Sequence, residues 1–290
     1  MAVAQQAGLK DYVGLKTAWC PGCGNFGILN ALNRALAELK IEPHQVLFVS
    51  GIGQAGKTPH YTKGNVFNSL HGRPMPPAIG AKIANPELIV IAISGDGDAY
   101  GEGGNHWLHA MRRNHHITYI VHDNQVYGLT KGQAAPTSDS GYISKTTPFG
   151  AANPVNPVAI AIAAGATFVA RSYSADLAHL VSILKAGITH KGFALIDILQ
   201  PCVTFNHQNT YKWYRDRCYK LENEPGYDPT NRQSAFMRAL EWGERIPIGI
   251  LYRKEGMPTF EEQIPALKKG PLVKRTIEPL RVQKLLERFQ

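Results

Sequence analysis

Residues 88–98 read LIVIAISGDGD, and this stretch is the clearest structural signal in the chain. Residues 88–93 contain no polar side chain, which is typical of a strand buried on both faces of a sheet. The glycines and aspartates that follow are typical of a turn leading into a helix. Short, largely apolar runs of the same kind occur at residues 46–49, 117–122, 167–170 and 193–199. The sequence therefore predicts several buried strands.

Segments with helical periodicity separate these strands. Apolar residues recur every three or four positions through residues 28–39, 107–113, 158–164 and 174–185. The last of these segments begins with Ser174 and Asp176, which are typical helix-capping residues. Buried strands that alternate with helices predict an α/β fold, namely a parallel sheet with helices on both faces.

The composition changes near residue 211. Residues 1–210 contain the predicted strands and helices and are expected to form one α/β domain. Beyond them, aromatic and basic residues such as Trp213 and Arg215 precede a segment rich in proline and glycine. We expect residues 211–290 to be an extension that wraps the domain or a partner subunit and ends in a helical arm.

Composition limits the classes of protein to consider. Of the 290 residues, 44% are hydrophobic and 18% are charged, a balance typical of soluble globular proteins. The apolar runs are far shorter than the ~20 residues of a membrane span, and no signal segment opens the chain. We expect a cytoplasmic protein without a membrane partner. The formal net charge of +9 favours an acidic partner, but no nucleic-acid-binding motif accompanies it, so nucleic acid is not expected.

Polar and glycine-rich segments follow the predicted strands. In parallel sheets, ligands bind beyond the carboxyl ends of the strands. Asp96 follows one strand and Asn124 follows the next, so the two side chains are expected at the same edge of the sheet. Carboxylate and carbonyl oxygens suit Mg²⁺, and glycines allow a diphosphate to approach the backbone. The Gly95-Asp96-Gly97 sequence alone is also an ordinary turn, but its spacing to Asn124 favours a metal and diphosphate site.

Several longer strings resemble one family. Gly95-Asp96-Gly97 with Asn124 matches the thiamine-diphosphate motif. The strings CPGCGNFG, SGIGQAGKTPHY, LHGRPMPPAIGAKIAN, GDGDAYGEGGNH and DNQVYGLTKGQAAPT occur in order and resemble the β subunit of 2-oxoacid:ferredoxin oxidoreductases over residues 15–220. The resemblance implies a thiamine-diphosphate- and Mg²⁺-binding domain at residues 1–210 that includes an iron–sulfur segment near its start.

The resemblance also implies roles for individual residues. Mg²⁺ would be held by Asp96, Asn124 and the carbonyl of Val126. Lys57 and Lys131 would be the catalytic residues. Lys57 would lie near the cofactor or the substrate carboxylate, although it could be an exposed loop lysine. Lys131 matches a lysine that binds the distal carboxylate in members using 2-oxoglutarate. The implied cofactor-binding residues are Gly53, Lys57, His71, Gly95, Asp96, Gly97, Asp98, Asn124, Val126, Gly128 and Leu129, of which His71 could instead be a structural ion-pair partner.

The cysteines raise a separate question. Cys20 and Cys23 form a C-x-x-C pair, a spacing that suits zinc or an iron–sulfur cluster. The resemblance makes Cys20, Cys23 and Cys202 ligands of a 4Fe–4S cluster. Family members usually carry another cysteine in the SGIG turn, where this chain has Gln54. Cys218 could supply a fourth thiolate, but an inert buried cysteine is the favoured interpretation.

The resemblance implies the following function. A 2-oxoacid, with 2-oxoglutarate favoured, would be oxidatively decarboxylated to acyl-CoA and CO₂, with electrons passing through the cluster to ferredoxin, or the reverse carboxylation would occur. An α subunit would carry the aminopyrimidine-binding domain, in a complex of two α and two β subunits. Two alternatives remain: a subunit of a non-oxidative thiamine-dependent decarboxylase, and a non-catalytic metal-binding scaffold. His115 and His116 are expected at the surface, away from the site.

Overall fold

The computed structural model describes residues 7–276 and 279–289. Its strands have the following bounds: β1 Val46–Ser50, β2 Asn65–Asn68, β3 Ile89–Gly95, β4 Thr118–Asp123, β5 Val126–Tyr127, β6 Gln133–Ala134, β7 Phe168–Tyr173, β8 Ala194–Leu199, β9 Cys218–Lys220 and β10 Ile246–Arg253. Eight of them form one sheet in the order β2-β1-β3-β4-β8-β7-β10-β9, and β5 pairs with β6 as a separate hairpin. The strands from β2 to β7 in this order run parallel.

The α-helices have the following bounds: α1 Asn25–Glu38, α2 Thr58–Tyr61, α3 Met75–Ala84, α4 Gly104–Arg113, α5 Pro157–Ala164, α6 Leu177–Thr189, α7 Tyr211–Arg215, α8 Arg232–Ala239 and α9 Pro279–Leu286. In the described ranges, none of these helices combines the length and the apolar character needed to cross a bilayer.

Helices cover both faces of the sheet because successive strand residues point to opposite sides. In β3, Val90 and Ala92 belong to a core shared with α3, α4, α5 and α8. Their neighbours Ile91 and Ile93 belong to a second core shared with α1 and α6. A fully buried valine or isoleucine side chain stabilises the fold by roughly 1.5–3 kcal/mol, and the methyl group of an alanine by less. The predicted α/β fold, with a mostly parallel sheet between two helical layers, is confirmed.

The segment beyond residue 211 contributes strands to the sheet. β10 runs antiparallel to β7, and β9 pairs with the outer side of β10. The β10 sequence contains Pro247 and Gly249, which usually argue against a central strand. Pro247 pairs with β9 and lies outside the part of β10 that pairs with β7. Gly249 has a φ of +126°, close to a bulge in the β10–β7 ladder. The extension thus completes the sheet, and the boundary at residue 210 remains a prediction.

Two local expectations were wrong. The helix expected from Ser174 begins at Leu177, because the Oδ1 of Asp176 accepts the capping bond from the N–H of His179 at 3.2 Å. His115, expected at the surface, is 1% exposed. Its Nδ1 lies 2.7 Å from Oε1 of Glu261, which the extension brings back to the amino ends of the strands. A partner so distant in sequence leaves no local pattern around His115.

Candidate functional site

The end of β3 and the turn after it carry the two aspartates of the predicted motif. Gly95 ends the strand, and Gly97–Glu102 form one turn of π-helix before α4 begins. In that turn the N–H of Gly103 donates to the carbonyl of Asp98 at 2.9 Å. Single π-helical turns are rare and often occur at functional sites. The turn directs Asp96 and Asp98 inward, where they are 1% and 3% exposed.

Asn124 lies at the end of the neighbouring strand. β3 and β4 pair in parallel, so Asp96 and Asn124 follow adjacent strand ends, as expected. Gln125 has a φ of +61°, a left-handed conformation that is uncommon outside glycine and is often found at functional sites. With the chain bent in this way, the Oδ1 of Asn124 accepts a hydrogen bond from the N–H of Val126 at 3.0 Å. One lone pair of this oxygen stays available to a cation.

A cavity of about 100 Å³ opens at this edge of the sheet. Its lining includes all the predicted cofactor-binding residues except Lys57: Gly53, His71, Gly95, Asp96, Gly97, Asp98, Asn124, Val126, Gly128 and Leu129. Gly53 has a φ of +118° and open space where a side chain would project. The structure therefore brings together residues that come from separate loops.

Buried acidic groups at and near Asp96 favour a cation in this cavity, although of Asp96, Asp123 and Asp197 only Asp96 lines it. Burial raises the pKa of Asp96 to about 6, although a hydrogen bond from Thr137 at 2.5 Å opposes the rise. Burial and the charge of Asp197 also raise the pKa of Asp123 well above its ordinary value. Of the described residues, Arg171 alone forms an ion pair with one of these acids, 3.3 Å from Asp197. A divalent cation at Asp96 would offset this uncompensated negative charge.

The carboxylate of Asp98 connects the loops around the cavity. Its Oδ1 accepts from the N–H of Gly72 at 2.7 Å and from the N–H of Ile52 at 3.0 Å, and it lies 2.6 Å from Nδ1 of His71. Its Oδ2 accepts from the hydroxyl of Ser94 at 2.5 Å. The family resemblance implies that Asp98 lies beside the diphosphate. The contacts indicate in addition a residue that fixes the shape of the cavity wall.

Tyr127 packs over the glycine of the motif. A Cβ at Gly97 would lie 2.3 Å from Cε1 of Tyr127, closer than any real contact. The Tyr127 hydroxyl also lies 3.2 Å from Oε1 of Glu102. The absence of a side chain at Gly97 is thus required by protein packing, quite apart from any bound diphosphate.

Cys20, Cys23 and Cys202 line a second cavity, together with Gln54. Cys20 to Cys23 form a turn in which the N–H of Cys23 donates to the carbonyl of Cys20 at 3.0 Å. Pro21 and Gly22, whose φ is +79°, have the residue types that a type II turn requires at these positions. The turn directly precedes α1. Burial raises the pKa of Cys23 to about 11, and a backbone hydrogen bond from Asn25 opposes the rise.

Gln200 connects the two cavities. Its Oε1 accepts from Nδ2 of Asn124 at 3.0 Å, and its Nε2 lies 3.5 Å from the sulfur of Cys23. Gln54, Asn124 and Gly128 line both cavities. The predicted metal site and the three cysteines are therefore direct neighbours.

Cys218 lies elsewhere. It is in β9, next to a hydrophobic cluster that contains Tyr214 and Ile246, and it does not line the cavity of the other cysteines. Burial raises the pKa of Cys218 to about 12. The favoured interpretation is an inert buried cysteine, and the structure shows Cys218 half-buried. Within residues 7–276 and 279–289, no group of three histidine, cysteine, aspartate or glutamate side chains is arranged to hold a single metal ion.

The two predicted catalytic lysines lie outside the cofactor cavity. Lys57 ends a short 3₁₀ turn that follows Gln54 and is half-buried. Lys131, with a φ of +81°, is exposed in the turn between β5 and β6. It lines a groove of about 710 Å³ that also contains Lys145 and His207. Thr130 lines both this groove and the cofactor cavity, so the two spaces adjoin.

Four residues of the site were not found from the sequence: Gln125, Tyr127, Thr137 and Gln200. Gln125, Tyr127 and Thr137 fall within the family-like string DNQVYGLTKGQAAPT, and Gln200 directly follows the strand predicted at residues 193–199. These signals point to the region but not to the individual residues. Their contacts cross loops: Gln125 Nε2 donates to the carbonyl of Thr137 at 2.7 Å, and Thr137 in turn donates to Asp96.

Comparison with known proteins agrees with this geometry. The family model described as "Thiamine pyrophosphate enzyme, C-terminal TPP binding domain" matches residues 47–198. A second model, which describes the C-terminal part of the pyruvate ferredoxin oxidoreductase beta subunit, matches residues 202–269. The first match spans the sheet from β1 to β8 and all of the cavity-lining loops between them.

Individual proteins extend the match. The chain is 49% identical over 260 residues to the 2-oxoacid:ferredoxin oxidoreductase subunit beta of a Sulfolobus species, covering 86% of this chain and 85% of that protein. It is 45% identical over 199 residues to the 2-oxoglutarate oxidoreductase subunit KorB of Mycobacterium tuberculosis, covering 68% of this chain and 53% of that protein.

A solved structure gives the same result for the fold. The 2-oxoglutarate:ferredoxin oxidoreductase from Magnetococcus marinus, with 2-oxoglutarate, coenzyme A and succinyl-CoA bound, superposes with a TM-score of 0.89 at 35% identity. The superposition covers 97% of this chain and 96% of that one. Because the motifs, the fold and the relatives agree over most of its length, the chain belongs to the beta subunits of the 2-oxoacid:ferredoxin oxidoreductases, whose thiamine-diphosphate-binding domain it carries.

Proposed function

We propose that this chain binds thiamine diphosphate through Mg²⁺ and takes part in the oxidative decarboxylation of a 2-oxoacid to acyl-CoA and CO₂, or in the reverse carboxylation. The observation that carries the proposal is the cavity at the strand ends, where Asp96, Asn124 and Val126 meet beside three cysteines. Bound there, the cofactor would supply an electron sink for loss of the substrate carboxylate.

The proposed metal ligands are the carboxylate of Asp96, Oδ1 of Asn124 and the carbonyl of Val126. Each is an oxygen donor of the kind that Mg²⁺ prefers. Thr137 and Gln200 hold the first two side chains by hydrogen bonds, so the donors are oriented before a cation arrives. Asp98 keeps the walls formed by Ile52 and His71 in place.

We assign Cys20, Cys23 and Cys202 to an iron–sulfur cluster that receives electrons from the cofactor site. The assignment is supported by their shared cavity and by the direct contact of that cavity with the metal site through Gln200. Ferredoxin is the proposed electron acceptor. The net charge of +9 would favour its docking, since ferredoxins are acidic.

The proposed substrate is 2-oxoglutarate. Lys131 and Lys145 line the groove next to the cofactor cavity, and a second carboxylate on the substrate would reach toward such cations. The relatives from M. tuberculosis and M. marinus carry 2-oxoglutarate in their names. Lys57 keeps a proposed role near the cofactor, although its present position is outside the cavity lining.

The proposed assembly contains an α subunit. The chain supplies one wall of a cofactor site, and the aminopyrimidine end of thiamine diphosphate would need a second domain. We therefore propose two α and two β subunits, with coenzyme A as the acyl acceptor. The four free cysteines and an iron–sulfur cluster would suit the reducing conditions of the cytoplasm.

The test is anaerobic purification of the complex with its α subunit, followed by assays for thiamine diphosphate, iron and sulfide. The proposal predicts all three together with 2-oxoacid-dependent reduction of ferredoxin. Bound cofactor without iron would contradict it and favour a non-oxidative decarboxylase. Iron without cofactor would favour a metal-binding scaffold.

A further inference from the structure

Gln54 is the fourth residue of interest around the three cysteines. It lines their cavity, and its Oε1 is buried with no hydrogen-bond partner among the described residues. A buried amide oxygen without a partner costs about 1–3 kcal/mol, so such atoms usually face a ligand or water. Cys218, the fourth cysteine of the chain, lies in β9 and does not line this cavity.

The backbone of Gln54 is held firmly at this place. Its carbonyl accepts from Nε1 of Trp19 at 2.9 Å, and Trp19 directly precedes Cys20. The same carbonyl accepts from the N–H of Lys57 at 3.3 Å and so closes the 3₁₀ turn. Gln54 is thus fixed relative to the first cysteine.

Two nearby amide donors are already engaged. Nε2 of Gln200 donates to the carbonyl of Pro201 at 2.7 Å and lies 3.5 Å from the sulfur of Cys23. Nδ2 of Asn124 donates to Gln200. Among the described residues no group lies within hydrogen-bond distance of Oε1 of Gln54, so this oxygen is free to face a bound group. Gln54 lines both the cysteine cavity and the cofactor cavity. The bond between its carbonyl and Trp19, the neighbour of Cys20, favours a group bound at the cysteines.

We propose that Oε1 of Gln54 binds the fourth iron of a four-iron cluster, with Cys20, Cys23 and Cys202 holding the other three. This inference rests on the proposed function, since it requires that the cysteines bind an iron–sulfur cluster. An amide oxygen is a neutral, hard ligand, so it holds iron less firmly than a thiolate does. The cluster then carries one negative charge less than it would with four thiolates, and this raises its reduction potential.

This ligand set makes the fourth iron removable. Ferricyanide takes one electron from the 4Fe–4S cluster in its 2+ state and is itself reduced to ferrocyanide. The iron bound by Gln54 then leaves as Fe²⁺, and a 3Fe–4S cluster of charge 1+ remains on the three thiolates. The same protein with a fourth thiolate would keep that iron.

The experiment uses the anaerobically purified complex in wild-type form and as Gln54→Cys, Gln54→Ala and Cys218→Ser. Iron and sulfide are quantified and EPR spectra are recorded before and after one equivalent of ferricyanide. In the wild type and Cys218→Ser, oxidation should remove about one iron in four and produce the EPR signal of a three-iron cluster. Gln54→Cys should keep four irons and give little or none of that signal. Gln54→Ala should already contain three irons per four sulfides when isolated.

The outcomes distinguish a failure of the proposed function from a failure of the role assigned to Gln54. A complex with thiamine diphosphate but no iron in any variant overturns the proposed function and this inference with it. A four-iron cluster that resists ferricyanide equally in the wild type and in Gln54→Cys leaves the proposed function intact and overturns the role of Gln54. Equal loss of iron from both also overturns it, and so does a full four-iron cluster in Gln54→Ala.

Discussion

Replacing Asp98 tests whether this carboxylate holds the cofactor cavity in shape. In Asp98→Ala four donors lose their acceptor: the N–H groups of Gly72 and Ile52, the hydroxyl of Ser94 and Nδ1 of His71. The hydroxyl can rotate to another acceptor, and the His71 side chain, which is 43% exposed, can reach water. The two backbone N–H groups cannot turn away.

The magnitude follows from those two groups. A buried donor left without an acceptor costs about 1–3 kcal/mol, which applies in full to the N–H of Gly72. The N–H of Ile52 should cost less, because that residue is 40% exposed and water can replace the carboxylate. Asp98→Ala should therefore lower the free energy of unfolding by about 1.5–4 kcal/mol. Asp98→Asn keeps one carbonyl oxygen for the two N–H groups and should lose about 1–2 kcal/mol. The control is Glu102→Ala, because Glu102 is 42% exposed and lies 3.7 Å from the same histidine. Its cost should stay within about 0.5–1 kcal/mol.

Urea unfolding followed by circular dichroism gives the three values. The reasoning predicts the order Asp98→Ala, then Asp98→Asn, then Glu102→Ala, from largest loss to smallest. The affinity for thiamine diphosphate should fall in the same order, since the loops at Ile52 and His71 line the cavity. An Asp98→Ala variant as stable as Glu102→Ala would refute the assignment of Asp98 as the residue that joins these loops.

Three further predictions follow from other contacts. Lys131→Ala should raise KM for 2-oxoglutarate about tenfold or more and leave KM for pyruvate nearly unchanged, as steady-state kinetics would measure; an equal effect on both substrates would contradict it. Gly97→Ala should destabilise the chain by about 1–3 kcal/mol in urea unfolding, because its Cβ would collide with Tyr127. If the collision is the cause, the same substitution should cost much less when it is made in a Tyr127→Ala background, and an equal cost in both backgrounds would contradict it. For Glu261, burial alone would raise the pKa, but hydrogen bonds from His115 and the backbone lower it overall. The contribution of the ionised form is therefore present above the ordinary pKa of 4.5 and is lost as pH falls through the lower folded-state value, so the stability deficit of Glu261→Gln should be largest near pH 7 and shrink below about pH 4.5. A deficit independent of pH would contradict this.

The central part of the fold could be predicted from the sequence because its signals are local. A run such as residues 88–93 has no polar face, so it is best accommodated as a strand buried on both sides. Asp96 and Asn124 each follow such a strand, and parallel strands bring their carboxyl ends to one edge. Those two facts locate the site without knowledge of any contact.

Prolines made α3 and β10 difficult to predict from the sequence. α3 begins at Met75, and its second and third residues are Pro76 and Pro77, which would break a helix at most other positions. Backbone N–H groups in the first turn have no hydrogen-bond partner within the helix. Proline, which lacks this N–H, is therefore tolerated there. Pro247 argues against a strand at β10, because the sequence does not reveal that this residue lies outside the part of β10 that pairs with β7.

The contacts that shape the site depend on residues far apart in the chain. Thr137 reaches Asp96 across 41 positions, and Gln200 reaches Asn124 across 76. Neither pairing has a spacing rule that could reveal it. The same is true of the cysteines: their number suggested that Cys218 could complete a set of four, whereas its position in β9 separates it from the three that share a cavity.

Binding of thiamine diphosphate measured calorimetrically, with Mg²⁺ and with a chelator, tests the central claim most directly. The complex containing the wild-type chain should bind the cofactor tightly only with Mg²⁺. Asp96→Ala should lose at least about 100-fold in affinity and all dependence on Mg²⁺, because the carboxylate that anchors the cation is gone. Asp216→Ala, which removes a carboxylate that lines neither cavity, should bind like the wild type. Retention of Mg²⁺-dependent affinity by Asp96→Ala would contradict the assignment of this strand end as the cofactor site.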